Sequence, residues 1–274
     1  MKKIVSGLLI TSLIFVLAAC GGGASKKSSD DKTLVVGASN TPHAQILEQV
    51  KPILKKEGVN LKIVKYTDYV MPNKALDEGE LDANYYQHVP FLKLEEKEKG
   101  YKFANVGAIH LEPMGVYSKK VKKLKDLKDG SQILLSNSKS DWPRVISIFV
   151  KAGLLKLKPG VNPEDATFND IKENPKNLKF KYDLDPAYLM TAYNNGEGDA
   201  VVINSNFVVD QGLNPMKDSI AIEGKDSPYA NIIVTKESNK NNKNIKKLVD
   251  ALHSKKIQDW ILKKWSGAVV PVDK

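Results

Sequence analysis

The chain reads as an α/β protein of two similar lobes. Two observations carry that expectation. From about Thr33 onward, short apolar or alternating runs that suit strands take turns with runs of helical period. One turn is also written twice: Gly79-Glu80-Leu81-Asp82-Ala83 is answered by Gly196-Glu197-Gly198-Asp199-Ala200. Each copy follows an expected helix, leads into an expected strand and ends on a polar cluster. The clusters are Tyr86-Gln87-His88 and Asn204-Ser205-Asn206. Ligands of open α/β sheets bind beyond the carboxyl ends of strands. Two facing lobes would bring both clusters to one cleft.

Before the lobes comes an export segment. Met1-Lys2-Lys3 is basic, the next stretch is apolar, and Leu17-Ala18-Ala19-Cys20 closes it with small residues. The apolar run falls short of the roughly 20 residues of a membrane span. Residues 1–19 are therefore expected to be a signal peptide. Cys20 is the only cysteine, so no intramolecular disulfide exists. Leu-Ala-Ala-Cys resembles a bacterial lipobox, which implies that Cys20 is acylated. Residues 20–32, small and polar, suit a flexible tether to the membrane surface.

The elements are expected in this order. Thr33-Leu34-Val35-Val36-Gly37-Ala38 predicts a buried strand. Ser39-Asn40-Thr41-Pro42 predicts a helix start, with an apolar stripe of Ile46, Leu47, Val50, Ile53 and Leu54 and a stop at Gly58. Further strands are expected at 61–66, from 81 up to a turn at Tyr86-Gln87-His88, and at 103–111, with helices at 72–77 and 90–99. The same grammar returns with strands at 132–135, 178–182 and 200–203 and helices at 143–152, 186–193 and 207–211. A strand at 230–235 and one long amphipathic helix at about 244–265 close the chain. The alternation favours a largely parallel sheet. The expected division is 33–113 plus 229–274 for lobe one and 114–228 for lobe two, with the crossovers forming a hinge.

Composition narrows the function. The net charge is +10, almost all of it lysine. Exported lysine-rich faces without interleaved aromatics suit solvation beside an anionic envelope, not nucleic-acid binding. No Gly-x-Ser-x-Gly elbow, P-loop or His-Glu-x-x-His string is present, so no enzyme and no cofactor are expected. Arg144 is conspicuous because arginine is scarce. It follows Ser140-Asp141-Trp142-Pro143 at a helix start, where the macrodipole disfavours a cation by some tenths of a kcal/mol. That placement suits capture of a carboxylate by the guanidinium fork. Asn206 and Asn231, at strand ends, offer donors and acceptors together. Tyr66, Tyr69, Tyr86 and His88 could wall an apolar or thioether side chain. Clamp, amides and aromatic box together describe an amino-acid site. A second reading has His88 and His110, with Glu112, holding a metal on a metal-binding or adhesive surface lipoprotein.

The sequence resembles the methionine-binding lipoproteins of bacterial ABC importers, the MetQ/NlpA group. The strings that carry this are Asp82-Ala83-Asn84-Tyr85-Tyr86-Gln87-His88-Val89-Pro90-Phe91-Leu92, His110-Leu111-Glu112-Pro113-Met114-Gly115 and Ile203-Asn204-Ser205-Asn206. Gly212-Leu213-Asn214-Pro215 and Tyr229-Ala230-Asn231-Ile232-Ile233-Val234 complete them. The resemblance implies a type II-like periplasmic-binding-protein fold with its ligand between two lobes. It implies a monomer that captures L-methionine or a short Met-containing peptide and hands it to a permease and ATPase. Tyr69, Tyr86 and His88 would form the side-chain pocket, with His110 counted among the binding residues. Arg144 would grip the carboxylate, and Asn206 and Asn231 would fix the polar ends. One departure stands out: Trp142-Pro143 precedes Arg144 where the family usually carries a small acidic–glycine pair.

Overall fold

The computed structural model describes residues 32–224 and 227–273. The expected signal peptide, Cys20 and the tether up to Asp31 lie outside them. No described helix is long and apolar enough to cross a membrane.

The first part runs β1 (Thr33–Ser39), α1 (Gln45–Lys56), β2 (Asn60–Tyr66), α2 (Met71–Glu78), β3 (Ala83–His88), α3 (Val89–Lys99), β4 (Phe103–Leu111) and β5 (Gly115–Tyr117). The middle runs β6 (Gln132–Ser136), α4 (Trp142–Lys151), a short pair β7 (Lys156–Leu157) and β8 (Ile171–Glu173), then β9 (Lys179–Leu184), α5 (Leu189–Asn195), β10 (Ala200–Ile203), α6 (Ser205–Asp210), α7 (Pro215–Asp218) and β11 (Ala221–Ile222). The close is β12 (Asn231–Lys236), α8 (Lys243–Leu252), α9 (Lys255–Trp265) and β13 (Val270–Pro271).

These elements make two α/β lobes, each around its own sheet. One sheet has the order β13-β4-β12-β3-β1-β2, the other β11-β5-β10-β6-β9. The chain leaves the first sheet through 112–114 and returns to it at Asn231. Each sheet has its own apolar core. Leu34, Val36, Ile46, Leu47, Ile109 and Ile233 meet α8 and α9 in one; Val116, Ile133, Val145, Phe149 and Val202 pack in the other. β3 lies in the middle of its sheet, and all six of its residues are buried, as expected for a strand covered on both faces.

Two expectations are corrected. The sheets are mixed, not largely parallel: β12 runs antiparallel to both β3 and β4, and β10 runs antiparallel to β5. A strand that returns from the other lobe is free of the crossover rule that keeps β1, β2 and β3 parallel. The first helix begins where expected: a helical segment at Asn40–Ala44 runs directly into α1, and only Thr41 within it is non-helical. Thr41 is extended (φ −132°, ψ 133°), and the Thr41–Pro42 peptide is cis. The long C-terminal helix is two helices, because Ser254 is extended (ψ 141°) and its hydroxyl donates to the Ala251 carbonyl. That break lets Ile257, Ile261 and Trp265 return to the core.

The doubled turn is real in three dimensions. Gly79 and Gly196 close α2 and α5 in the left-handed conformation (φ 83° and 71°), which glycine adopts without a Cβ penalty. Asp82 then exchanges two hydrogen bonds with the Val35 backbone, both at 2.8 Å. Asp199 makes the same pair with Gln132, again at 2.8 Å. The turns thereby lock β3 beside β1 and β10 beside β6, and both strands point toward the space between the lobes.

Candidate functional site

The carboxyl ends of β3 and β10 border one cavity. It is lined by His43, Tyr69, Tyr86, Gln87, His88, Phe91, Glu112 and Asn231 on one side, and by Asp141, Arg144, Asn204, Ser205 and Asn206 on the other. About 430 Å³ of space within it is free of protein atoms, part of it continuous with solvent. Of the residues expected from sequence, Tyr69, Tyr86, His88, Arg144, Asn206 and Asn231 all line it. His110 and Tyr66 do not: His110 sits one layer behind, fully buried, against Glu112, and Tyr66, at the end of β2, lines a neighbouring cleft with Ser39 and Thr41.

The aromatic wall depends on an irregularity in β3. Opposite it, Ile232 pairs with Gln87 and the next residue, Ile233, pairs with Tyr85. Tyr86 is therefore an extra, bulged residue, and a bulge re-aims side chains at a strand end. Tyr85 goes to the core and Tyr86 to the cavity. Tyr69, Tyr86 and Phe91 approach each other at 6.0–6.1 Å between ring centres, and His88 lies 6.3 Å from Phe91. Behind them, buried Asn73, Asn84 and Gln87 close a ring of amide hydrogen bonds (2.7–3.2 Å). A half-satisfied set there would cost about 1–3 kcal/mol per orphaned group, so the ring holds the wall in place.

The polar ends of the cavity are oriented by their partners. Asn231 accepts from His43 at 2.9 Å, and Asn206 accepts from the Tyr69 hydroxyl at 2.6 Å. Both amides spend their carbonyl ends within the protein. Their amino ends carry no hydrogen bond among the described residues, which leaves donors on two residues that line the cavity. Tyr69–Asn206 also bridges the two lobes, as does His88 Nε2 to Asp141 Oδ1 at 3.2 Å.

Two carboxylates supply acceptors. Burial raises the pKa of Asp141, but hydrogen bonding from His88 and the Arg144 charge outweigh it and hold the group below its ordinary value. Glu112 is shifted up, chiefly by burial, against the pull of His43 and Arg144. His110 donates to Glu112 at 2.6 Å and receives the Tyr85 hydroxyl on its other nitrogen. Burial pushes His43 down to about 4 and His110 down to about 3, so both are neutral at pH 7. His43, His110 and Glu112 are the described residues whose ligand atoms, all within 4.8 Å of one another, could hold a metal ion. His88 is not part of that group, contrary to the metal reading above; its partner is Asp141.

Arg144, the chain's only arginine, departs from the expected open fork. Its Nη2 lies 2.6 Å from Glu223 and 3.0 Å from the Glu112 carbonyl, and its Nε donates to both Glu223 oxygens at 3.2 Å. The Tyr229 ring covers it at 4.6 Å. Only Nη1 carries no hydrogen bond among the described residues; Asp141 stands 3.5 Å from it. A buried ion pair outweighs the tenths of a kcal/mol of the helix dipole, so an internal anion holds the arginine at the helix start. Trp142 turns away from the cavity. Its indole donates to the Ser136 carbonyl and packs on Phe168 and Tyr182. The departure from the family string therefore lies on the outer side of α4.

Sequence reasoning missed Asp141, Glu223, His43 and Phe91. Asp141 and Phe91 stood inside quoted strings and, by helical and strand-end spacing from Arg144 and His88, were within reach of inference. Glu223 had no local signal: it lies in a crossover, far along the chain from the arginine it pairs.

Comparison with known proteins agrees with this geometry. The model of the NlpA lipoprotein family matches residues 34–273. The chain is similar to the methionine-binding lipoprotein MetQ of Bacillus subtilis, with 48% identity over 274 residues, 99% of each chain. Among solved structures, a pheromone precursor/lipoprotein of the YaeC family from Enterococcus faecalis matches with 60% identity and a TM-score of 0.86, covering 88% of this chain and 100% of that one. A nutrient-binding protein from Burkholderia cenocepacia, solved bound to methionine, matches with 40% identity and a TM-score of 0.82 over the same shares. With a doubled α/β frame, a polar cleft between its halves and a family match along nearly the whole folded part, this chain belongs to the NlpA lipoprotein family.

Proposed function

We propose that the protein is the substrate-binding lipoprotein of an ABC importer, capturing L-methionine or a short Met-containing peptide and delivering it to a membrane permease with its ATPase. The observation that carries this reading is the convergence of an aromatic wall, two amide donors, one arginine and two carboxylates on one cavity. The aromatic wall of Tyr69, Tyr86, His88 and Phe91 suits a thioether side chain. Arg144 Nη1, Asn206 and Asn231 suit a carboxyl end, and Asp141 and Glu112 suit an ammonium. His110 supports the site indirectly by holding Glu112.

In this reading, 33–113 with 229–274 forms lobe one and 114–228 lobe two, hinged at the crossovers. Ligand binding favours the closed arrangement in which Tyr69 meets Asn206 and His88 meets Asp141. The protein acts as a monomer without catalysis, tethered to the extracytoplasmic face of the membrane by acylated Cys20.

Mass spectrometry of small molecules released on denaturing the purified protein tests the reading. Methionine or a Met-containing dipeptide at near-equimolar yield is expected. Release of an unrelated compound, with no calorimetric binding of either, would refute it.

A further inference from the structure

Beside the cavity, four donor side chains converge around one carboxylate. His43 precedes α1, His110 lies near the end of β4, Glu112 follows that strand, and Asn231 opens β12 opposite His110. Glu112 Oε1 stands 2.6 Å from His110 Nε2 and 3.2 Å from His43 Nε2, and Asn231 Oδ1 stands 2.9 Å from His43 Nε2. We propose that these side chains bind one divalent transition cation, with Zn2+ as the representative ion, through two imidazole nitrogens, one carboxylate and one amide oxygen. This is a second binding function, separate from the capture of an amino acid or peptide.

Four observations carry it. First, imidazole and carboxylate donors suit Zn2+, Co2+ or Ni2+ over the all-oxygen ions Mg2+ and Ca2+. Second, the spacing fits. Tetrahedral bonds of about 2.0–2.1 Å set donor atoms about 3.3 Å apart. Here protons hold them at 2.6–3.2 Å, so an ion in place of those protons needs the side chains to part by less than about 1 Å. Third, the histidines are ready to ligate. Burial keeps both neutral at pH 7, the form a metal binds. The Tyr85 hydroxyl meets His110 Nδ1 and fixes that ring from behind. His43 Nδ1 is buried with no hydrogen-bond partner among the described residues, so the ring's proton can move there and free Nε2 without breaking a bond at Nδ1. Fourth, the charge balance favours a cation. Three buried carboxylates, Glu112, Asp141 and Glu223, act on the single guanidinium of Arg144, and buried charges are weakly screened. His43, Glu112 and Asn231 also line the cavity, which gives the ion its way in.

Titration of the purified, untagged, chelator-treated protein with Co2+ and Zn2+, in the absence of amino acids, tests this. One Co2+ per chain is expected, with the strong visible absorption of a four-coordinate site, and Zn2+ should displace it. His110→Gln and Glu112→Gln should each weaken binding about 100-fold or more, and Tyr85→Phe, which removes only the group behind His110, about tenfold. His253→Gln, outside the cluster, should change nothing. Wild-type protein that binds neither ion, or binding that survives both His110→Gln and Glu112→Gln, would overturn the proposal. So would binding lost in His253→Gln, which would mark an adventitious ion elsewhere. Should the cluster variants not fold, the stoichiometry and spectrum of the wild type decide. Methionine binding is read separately by calorimetry, and its absence would refute the proposed function while leaving the cation site standing.

Discussion

The two lobes solve one packing problem with opposite partners. In lobe one, Gly37 on β1 leaves room for Leu81 in the doubled turn; a Cβ on Gly37 would stand 2.5 Å from the Leu81 side chain. In lobe two, by the matching hydrogen bonds of Val35 and Gln132, the corresponding residues are Leu134 and Gly198. There a Cβ on Gly198 would stand 2.8 Å from Leu134. Large and small have changed places while the turn and the strand pairing stayed the same. Beyond the turns the lobes diverge. β3 runs six residues with a bulge and ends on rings; β10 runs four and ends on amides beside an ionic cluster. The frame is shared, and strand length and one bulge assign the chemistry.

The largest expected effect separates the two walls. Arg144→Ala in lobe two should cost about 2–5 kcal/mol of ligand binding, since it removes the buried charged partner of the ligand's carboxyl end. Tyr86→Ala in lobe one should cost less, about 1–2 kcal/mol, because it removes packing without orphaning a charge. Equal losses by calorimetry would mean that the walls do not differ in kind.

A second test concerns acid. His43 and His110 belong to the lobe-one side, and their folded-state pKa values of about 4 and about 3 lie below the ordinary histidine value. The unfolded state therefore binds more protons in that window, and stability should fall as pH drops from about 6.5 toward 3. Each histidine should contribute about 2–3 kcal/mol. Glu112, shifted up, has the opposite sign just above its ordinary value and offsets part of the first loss. Urea unfolding between pH 7.5 and 4 reads the slope; a flat profile would show that the histidines are not buried neutral.

The smallest effect probes the exchanged pair. Gly37→Ala and Leu81→Ala should each destabilise, and the double variant should recover about 1 kcal/mol relative to their sum, because the second change relieves the first. Gly198→Ala should not be rescued by Leu134→Ala, because Gly198 has φ +64° and the strain is in the backbone. Rescue in both lobes would mean that the two contacts are equivalent after all.

Much of this was legible along the chain. Strand and helix existence follow from period 2 and period 3.6 patterns, which depend only on neighbours a few residues apart. The doubled turn announced two lobes because the glycine and aspartate in it perform local backbone tasks. Six of the seven expected binding residues line the cavity for a related reason: strand ends and helix starts carry readable signals. Strand direction, the break at Ser254 and the bulge at Tyr86 were not legible, because each is decided by what packs across from it.

The sequence by itself determined the lobes' frame and the residue types at the cleft. Only the tertiary structure decided how those residues are spent. It set His110 behind the cavity, turned Trp142 outward, and gave the Asn206 and Asn231 carbonyls to Tyr69 and His43. Above all it paired Arg144 with Glu223. These are contacts between positions far apart in the chain, and their energy depends on burial and on distances of about 3 Å, neither of which a linear pattern encodes.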